Sequence, residues 1–170
     1  MTGNKPLVPA TKITLNAKRI YMAKGKSACL LVMKVPSDTT DKVIWSTSNS
    51  KIATVKNGKI KAKKNGTVTI TAKVGNQKAS VKVTVLPKAI KASKVTLNKK
   101  KATLKAQKSL ALKAVVAPRK STDTLKWSSS NKKVAKVDSF GKVTALKKGK
   151  ATITVKTSSG KKSSCKIIVK

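Results

Sequence analysis

The chain has 170 residues, of which 41 are Lys or Arg and only four are acidic, so its formal net charge is +37. It contains no His, and all four acids are Asp, whereas acid–base catalysis and metal binding draw mainly on His, Cys and carboxylates. This composition argues against most classes of enzyme, and we expect no catalytic residue, no metal and no cofactor.

The apolar content is high enough for a folded chain and favours β-structure. Val, Ile, Leu and Phe account for 40 residues, about a quarter of the chain, against a floor of roughly one-fifth for folded proteins. A further 19 residues are Thr, and Val, Ile and Thr are the β-branched side chains that fit a pleated, half-buried surface. No run approaches the ~18 uncharged apolar residues of a membrane span. We therefore expect an all-β protein without membrane insertion.

The chain contains the same pattern twice, at an offset of 82 residues. Ile13-Thr-Leu-Asn16 matches Val95-Thr-Leu-Asn98, and Trp45-Ser-Thr-Ser-Asn49 matches Trp127-Ser-Ser-Ser-Asn131. Further matches follow in the same order to the end of each copy, with two single-residue insertions in the second copy. Such self-similarity predicts two tandem copies of one domain.

We place the copies at 10–86 and 92–170, joined by a short linker at 87–91. Polarity alternates with a period of two within each copy: Lys alternates with apolar residues over 59–63, and hydroxyl with apolar residues over 67–72. Turn signals rich in Asn, Gly and Ser separate these segments. Short alternating strands between such turns predict an antiparallel sandwich or barrel in each copy.

The repeated pattern resembles a known family. The spacing Trp-Ser-Ser-Ser-Asn-x-x-Val-Ala-x-Val, followed by Gly-x-Val-x-Ala, is similar to the bacterial immunoglobulin-like domain, group 2, most fully between Trp127 and Val155. The first copy departs from it mildly, at Thr47 and Lys63. The resemblance implies two tandem immunoglobulin-like β-sandwiches, each of about seven short strands, of the kind found in invasin- and intimin-type surface proteins.

The resemblance also implies an extracellular or cell-surface location. Residues 1–10 lack the apolar run of a signal peptide, so we expect either a chain that is not exported or a piece of a longer precursor. No particular ligand is implied, because the family serves both as an adhesive module and as an inert spacer.

Trp45 and Trp127 occupy equivalent positions in the two copies, and two roles are open to them. An exposed Trp can stack on a sugar ring, whereas a Trp at this place in an immunoglobulin-like sandwich anchors the core. Because both copies contain it, we interpret both Trp residues as structural core. Cys29 and Cys165 fall at non-equivalent positions, so we expect two free thiols, with Cys165 acting as a small buried hydrophobic residue.

Nearly all charged side chains of the chain are positive, and a soluble β-sandwich does not require such an excess of one sign. Lys on outward faces opposes edge-to-edge aggregation, but a merely soluble surface mixes both signs, and a field of one sign attracts polyanions. The candidate contacts in the first copy alternate with apolar residues and so share one strand face. They are Lys59, Lys61 and Lys63, and those of the second copy are Lys142, Lys147, Lys148 and Lys150.

The predicted partner of these lysines is an anionic cell-wall polymer such as teichoic acid, or an acidic glycan. A nucleic acid is a less favoured partner, because proteins that bind nucleic acids use Arg forks and aromatic stacking. The aromatic residues of this chain are only two Trp, one Tyr and one Phe. We predict a non-enzymatic surface module for adhesion, wall association or spacing, monomeric in isolation. The alternatives are an inert spacer of a larger secreted enzyme or surface protein, and a non-specific nucleic-acid binder.

Overall fold

The computed structural model describes residues 7–170, and all regular secondary structure in that range is β-strand. Residues 1–6, which are part of the segment considered for a signal peptide, lie outside the described residues. Among the described residues, no helix is long and apolar enough to cross a membrane. The chain divides into two compact units between Ala89 and Ile90; the finer boundaries given above remain predictions.

The described part of the first unit contains nine strands. They are β1 (Lys12–Leu15), β2 (Arg19–Ala23), β3 (Ser27–Cys29), β4 (Val32–Val35), β5 (Val43–Thr47), β6 (Ala53–Lys56), β7 (Lys59–Ala62), β8 (Gly66–Val74) and β9 (Gln77–Leu86). A four-stranded sheet has the order β2-β9-β8-β5, a three-stranded sheet the order β3-β7-β6, and β1 pairs with β4. All of these pairs are antiparallel except β2–β9, which is parallel.

The second unit repeats this arrangement with nine strands of its own. They are β10 (Lys94–Leu97), β11 (Lys101–Leu104), β12 (Ser109–Ala111), β13 (Ala114–Ala117), β14 (Leu125–Ser129), β15 (Ala135–Val137), β16 (Lys142–Ala145), β17 (Gly149–Thr157) and β18 (Lys162–Val169). The sheets have the orders β11-β18-β17-β14, β12-β16-β15 and β10-β13, and β11–β18 is the parallel pair.

The core of each unit lies between its three-stranded and four-stranded sheets. In the first unit, Ile60 of β7 belongs to the same buried cluster as Ile70 of β8 and Val83 of β9, and all three are fully buried. Val143, Ile153 and Ile167 occupy the same places in the second unit. Alternate residues of these strands face the core, as a period of two requires. The predicted all-β sandwich is confirmed.

The described part of the first unit has nine strands where about seven are predicted, because β1 and β2, and likewise β3 and β4, are separate strands divided by short breaks. Between β1 and β2, Asn16 donates its N–H to the Leu31 carbonyl at 3.2 Å, and its Oδ1 accepts from the Leu31 N–H at 3.0 Å. Asn98 and Lys113 repeat both bonds at 3.1 and 2.9 Å. A strand break leaves backbone groups without ladder partners, and the repeated Asn satisfies them. The chain can then switch from the β1–β4 pair to the parallel β2–β9 pair.

The polar residues after each Trp hold the two sheets together. Thr47 Oγ1 donates to the Ala53 carbonyl at 3.0 Å, and Ser48 Oγ accepts from the Thr69 N–H at 3.0 Å. Asn49 Oδ1 closes the intervening turn by accepting from the Lys51 N–H at 3.0 Å. In the second unit the same three bonds recur at 2.7, 2.8 and 3.1 Å from Ser129, Ser130 and Asn131. Thr47, Ser48 and Asn49 and their three counterparts therefore each have a backbone partner.

The first prediction concerns the Asn that bridges the broken strands. Asn16→Ala should lower the free energy of unfolding of the first unit by about 1 kcal/mol, because one side-chain hydrogen bond is lost and the Leu31 N–H loses its partner. Urea denaturation followed by circular dichroism measures the change. Asn65→Ala, at an exposed turn position of the same unit, is the matched control and should have a smaller effect. Equal losses in the two variants would contradict the bridging role.

Candidate functional site

Trp45 and Trp127 lie half-buried against the cores of their units. The hairpin glycines Gly58 and Gly141 lie directly against the rings. A Cβ atom at Gly58 would lie 3.3 Å from Cζ2 of Trp45, and one at Gly141 would lie 2.8 Å from Cζ2 of Trp127. Both glycines have a φ of +78°, where a side chain is disfavoured in any case. The structure thus packs each ring on its own hairpin, and the core role remains a prediction.

The second prediction separates a core Trp from a sugar-stacking Trp. Trp127→Ala should destabilise the second unit by roughly 3–5 kcal/mol, the usual loss for a large aromatic residue removed from a core. Phe140→Ala, which removes a half-buried aromatic of the neighbouring turn, is the control and should cost less. Chemical denaturation of both variants gives the comparison. A Trp127→Ala variant that unfolds like the wild type but loses glycan binding would show that the Trp is a binding platform.

Lys59 and Lys61 share the exposed face of β7, as predicted from the alternation, while Ile60 and Ala62 between them are buried. The strand register places Lys56 opposite Lys59. These side chains border an open depression of about 560 Å³, which is lined by Ser27, Thr54, Lys56, Asn57, Lys59 and Lys61. Lys63 lies beyond the end of β7. The structure therefore adds Lys56 to the predicted set and separates Lys63 from the strand.

The candidate lysines of the second unit do not share one surface. Lys142 lies in β16 of the three-stranded sheet, and Lys150 lies in β17 of the four-stranded sheet. Lys147 and Lys148 lie in the connection between these strands. Beside Lys142, Asp138 Oδ1 accepts from the Lys142 N–H at 2.9 Å. This unit consequently has no equivalent of the Lys56, Lys59 and Lys61 cluster.

A different cationic surface recurs in both units, on the outward side of the four-stranded sheet. We call it the four-stranded face. In the first unit it has a cation row of Lys73 opposite Lys78, a hydroxyl row of Ser46, Thr71 and Ser80, and a second cation row of Arg19 opposite Lys82. In the second unit the corresponding residues are Lys156 and Lys162, then Ser128, Thr154 and Ser164, then Lys101 and Lys166. The sequence patterns missed this surface, although the alternation over 67–72 already placed hydroxyls on it.

The aspartates are tied to backbone groups. Asp41 Oδ2 accepts from the Ala10 N–H at 2.8 Å, and Asp123 Oδ2 accepts from the Ala92 N–H at 2.9 Å. The matched Asp pair therefore binds an equivalent backbone N–H in both units. Within residues 7–170, no three His, Cys, Asp or Glu residues lie close enough together to hold a metal ion; the absence of a bound metal remains a prediction.

The cysteines are both free thiols in different surroundings. Cys165 is fully buried in the core of the second unit, as predicted, while Cys29 is exposed on β3. Burial raises the pKa of the Cys165 thiol more than the nearby charge of Lys99 lowers it. A buried thiol with a raised pKa is a packing residue and a poor nucleophile.

Asp123 forms a small hydrogen-bond network at the start of the second unit. Its carboxylate accepts from the Ala92 N–H and from the hydroxyls of Ser158 and Ser159. Burial acts to raise the pKa of Asp123, but the bonds from Ser159, Ala92 and Ser158 together outweigh it and hold the pKa below its ordinary value. The charged form is therefore favoured by folding.

The third prediction follows from the sign of that shift. A carboxylate whose folded pKa is lowered contributes stability above its unfolded pKa of about 3.9, and this contribution is lost as the pH falls through the folded pKa. Ser159→Ala should raise the pKa of Asp123 in the folded state. The variant should therefore lose less of its free energy of unfolding than the wild type does when the pH is lowered. Melting curves of both variants and wild type between about pH 7 and pH 2 test this, with Ser139→Ala as the exposed-turn control. Identical pH profiles for Ser159→Ala and wild type would contradict it.

Comparison with known proteins gives one family match and several partial relatives. The family model of the bacterial Ig-like domain (group 2) matches residues 9–85 and again residues 91–167. A lacto-N-biosidase of Bifidobacterium bifidum is 45% identical over 58 residues, which is 34% of this chain and 5% of that protein. A minor capsid protein of Enterobacteria phage T3 is 47% identical over 75 residues, which is 44% of this chain and 17% of that protein. The chain is thus similar to small parts of much longer relatives.

Two solved structures show partial similarity to this chain. Domains 5–6 of the S-layer protein SbsC match 94% of this chain and 98% of that one, with 17% identity and a TM-score of 0.46. A fragment of intimin, in complex with the intimin-binding domain of its translocated receptor, matches 95% of this chain and 64% of that one, with 19% identity and a TM-score of 0.38. The family model alone covers most of the sequence in two successive ranges. The chain therefore belongs to the bacterial Ig-like domain (group 2) family and consists of two tandem copies of that domain.

Proposed function

We propose that the chain is a non-enzymatic module of a cell-surface protein that supports or spaces other domains and associates with anionic polymers of the cell wall. The observation that supports this proposal is the contrast between the two kinds of polar residue. The motif residues Thr47, Ser48 and Asn49 are engaged in holding the fold together, whereas the described lysines other than Lys34 are exposed. The excess charge is thus free to meet a partner.

Lysine chemistry indicates which partner is favoured. Lys is a compact, strongly hydrated point charge that suits phosphate without geometric selectivity, and only Arg19 and Arg119 could supply a planar fork. The Trp rings pack on their own hairpins, so they do not offer open platforms for bases. Teichoic acid, a phosphate-bearing wall polymer, or an acidic glycan therefore fits this surface better than a nucleic acid.

An inert spacer is the second candidate, and one observation favours it. The chain spans 5% and 17% of the two named relatives, as expected of a domain that is added to proteins with other tasks. In that case the lysines would only keep the module soluble and prevent pairing of exposed strand edges.

The fourth prediction distinguishes these candidates. The whole chain should be retained on purified cell walls at ~0.15 M salt, where the Debye length is still ~8 Å. Its affinity should fall linearly with salt on logarithmic axes, because counterions are released from the polymer. Retention should also disappear when wall teichoic acid is stripped.

The control is a folded protein of equal net positive charge and unrelated fold. Retention equal to that of the control would favour the spacer, and retention that survives both stripping and high salt would mean a specific ligand without electrostatic binding. Tighter binding to DNA than to teichoic acid at matched salt would contradict the choice of partner.

A further inference from the structure

We propose that the four-stranded face of each unit is the docking surface for an extended linear polymer of phosphate groups, which lies along the strands and bridges the two cation rows. The inference rests on the proposed function, because it assigns a surface and a ligand chemistry to the same polyanion contact. It differs from the sequence-based expectation, which placed that contact on β7 and its counterparts.

The spacing of the rows suits a chain-like anion. Neighbouring strands lie about 4.8 Å apart, so the two cations of one row, such as Lys73 and Lys78, can flank a single phosphate. Outward residues on one strand recur about every 6.8 Å, and the two rows are separated by the hydroxyl row. Lys78 and Lys82 of β9 therefore lie roughly 13–14 Å apart along the strand. A small anion can occupy one row, but only a longer chain reaches both.

The cation rows bring no benefit to the sheet itself. Like charges directly opposite each other on neighbouring strands are destabilising, yet Lys73 faces Lys78 and Lys156 faces Lys162. In the second unit Lys126 lies opposite Lys156 and extends the row across three strands. None of the eight strands of the two four-stranded sheets contains an acidic residue. A bound phosphate would supply the missing negative charge between the opposed lysines.

The hydroxyl row between the cations offers hydrogen-bond donors. Thr71 Oγ1 and Ser80 Oγ are 2.9 Å apart, and Thr154 Oγ1 and Ser164 Oγ are also 2.9 Å apart. One hydroxyl of each pair donates to the other, which leaves the second hydroxyl with its own O–H to donate outward. Ser and Thr hydroxyls are frequent donors to phosphate oxygens. Each face therefore presents cations, then donors, then cations along the path of the polymer.

The comparison of the two units favours this face over that of the three-stranded sheet. On the three-stranded sheet, Lys61 of β7 is replaced by Thr144 at the matching register position of β16. On the four-stranded face both cation rows recur at matching register positions. The second unit adds Lys126 and Lys150 where the first has Ile44 and Thr67. Of these two cationic surfaces, only the four-stranded face has the same arrangement of cations in both units.

The side chains of the face favour a phosphate polymer that lacks bases. Single-stranded nucleic acids bind through aromatic side chains on which successive bases stack. The first unit has one aromatic residue at this surface, Tyr21, whose hydroxyl accepts from Arg19 Nη1 at 3.5 Å. The second unit has Thr103 at the same place, opposite Ile168. Stacking therefore cannot be a shared part of binding.

The test compares two variants of the full chain that lose the same charge, with inorganic linear polyphosphate of about 20 units as the probe. The face variant replaces four lysines of the four-stranded faces, and the control variant replaces four of the three-stranded sheets, so both have a net charge of 37 − 4 = +33. The substitutions are Lys73→Gln, Lys78→Gln, Lys156→Gln and Lys162→Gln in the former, and Lys59→Gln, Lys61→Gln, Lys136→Gln and Lys142→Gln in the latter.

The face variant should bind polyphosphate about tenfold or more weakly at 0.15 M salt. Its salt slope should be shallower by about 0.7 for each unit that the polymer occupies, because each unit loses one phosphate contact. The control variant should lose less than about threefold. For the wild type, amide chemical shifts should change mainly in β8, β9, β17 and β18 on titration, a measurement that does not depend on the folding of any variant. Pyrophosphate, too short to bridge the rows, should bind more weakly than the polymer.

Equal losses in the two variants would show that net charge alone drives binding and would overturn the proposal, as would a larger loss in the control variant. Tighter binding of oligothymidylate of equal charge would overturn the choice of a phosphate polymer without bases. After either result with the two variants, retention on cell walls could persist, so the proposed function would stand while the assigned face would fall. A wild-type chain that binds neither polyphosphate nor cell walls would overturn both.

Discussion

Charge that cannot be buried determines how this molecule is built. A charged side chain is expelled from an apolar interior unless a partner accompanies it, and 41 cations face only four carboxylates. Every described lysine is accordingly exposed except Lys34, which is half-buried and directs Nζ to the carbonyl oxygens of Thr39 and Asp41. The cores must then be made from the alternate, small apolar positions of the strands, chiefly Val, Ile and Ala. The same alternation that builds the cores arranges the lysines in rows outside.

A few polar residues other than lysine stabilise the fold at defined places. Asn16 and Asn98 close the breaks that let the chain change sheets, and Asp41 and Asp123 fasten the segments that precede β1 and β10. With these residues engaged, surface chemistry is left to lysines and to the hydroxyls of the four-stranded faces. Because the motif residues of the family are engaged in the fold, the motif predicts the fold but does not indicate a ligand.

The all-β class, the two copies and the outward direction of Lys59 and Lys61 could be predicted, because a period of two is a local property of one strand. The neighbours of a strand are set by long-range pairing, which alternation does not encode. For that reason Lys147, Lys148 and Lys150 were grouped with Lys142, although β16 and β17 belong to different sheets. The breaks at Asn16 and Asn98 were missed for a similar reason, since a side chain that replaces a backbone partner looks like any other turn residue in the sequence.

The parallel pairing of β2 with β9, and of β11 with β18, has a mechanical consequence. In the first unit β2 and β9 run side by side in the same direction over Arg19–Ala23 and Lys82–Leu86. A pull that enters at the start of β2 and leaves at the end of β9 slides these strands past each other, so that all the interstrand bonds bear the load together. An antiparallel pair loaded at adjacent ends would instead open one bond at a time. Each unit therefore resists tension that is applied between the start of its parallel strand and the end of its last strand.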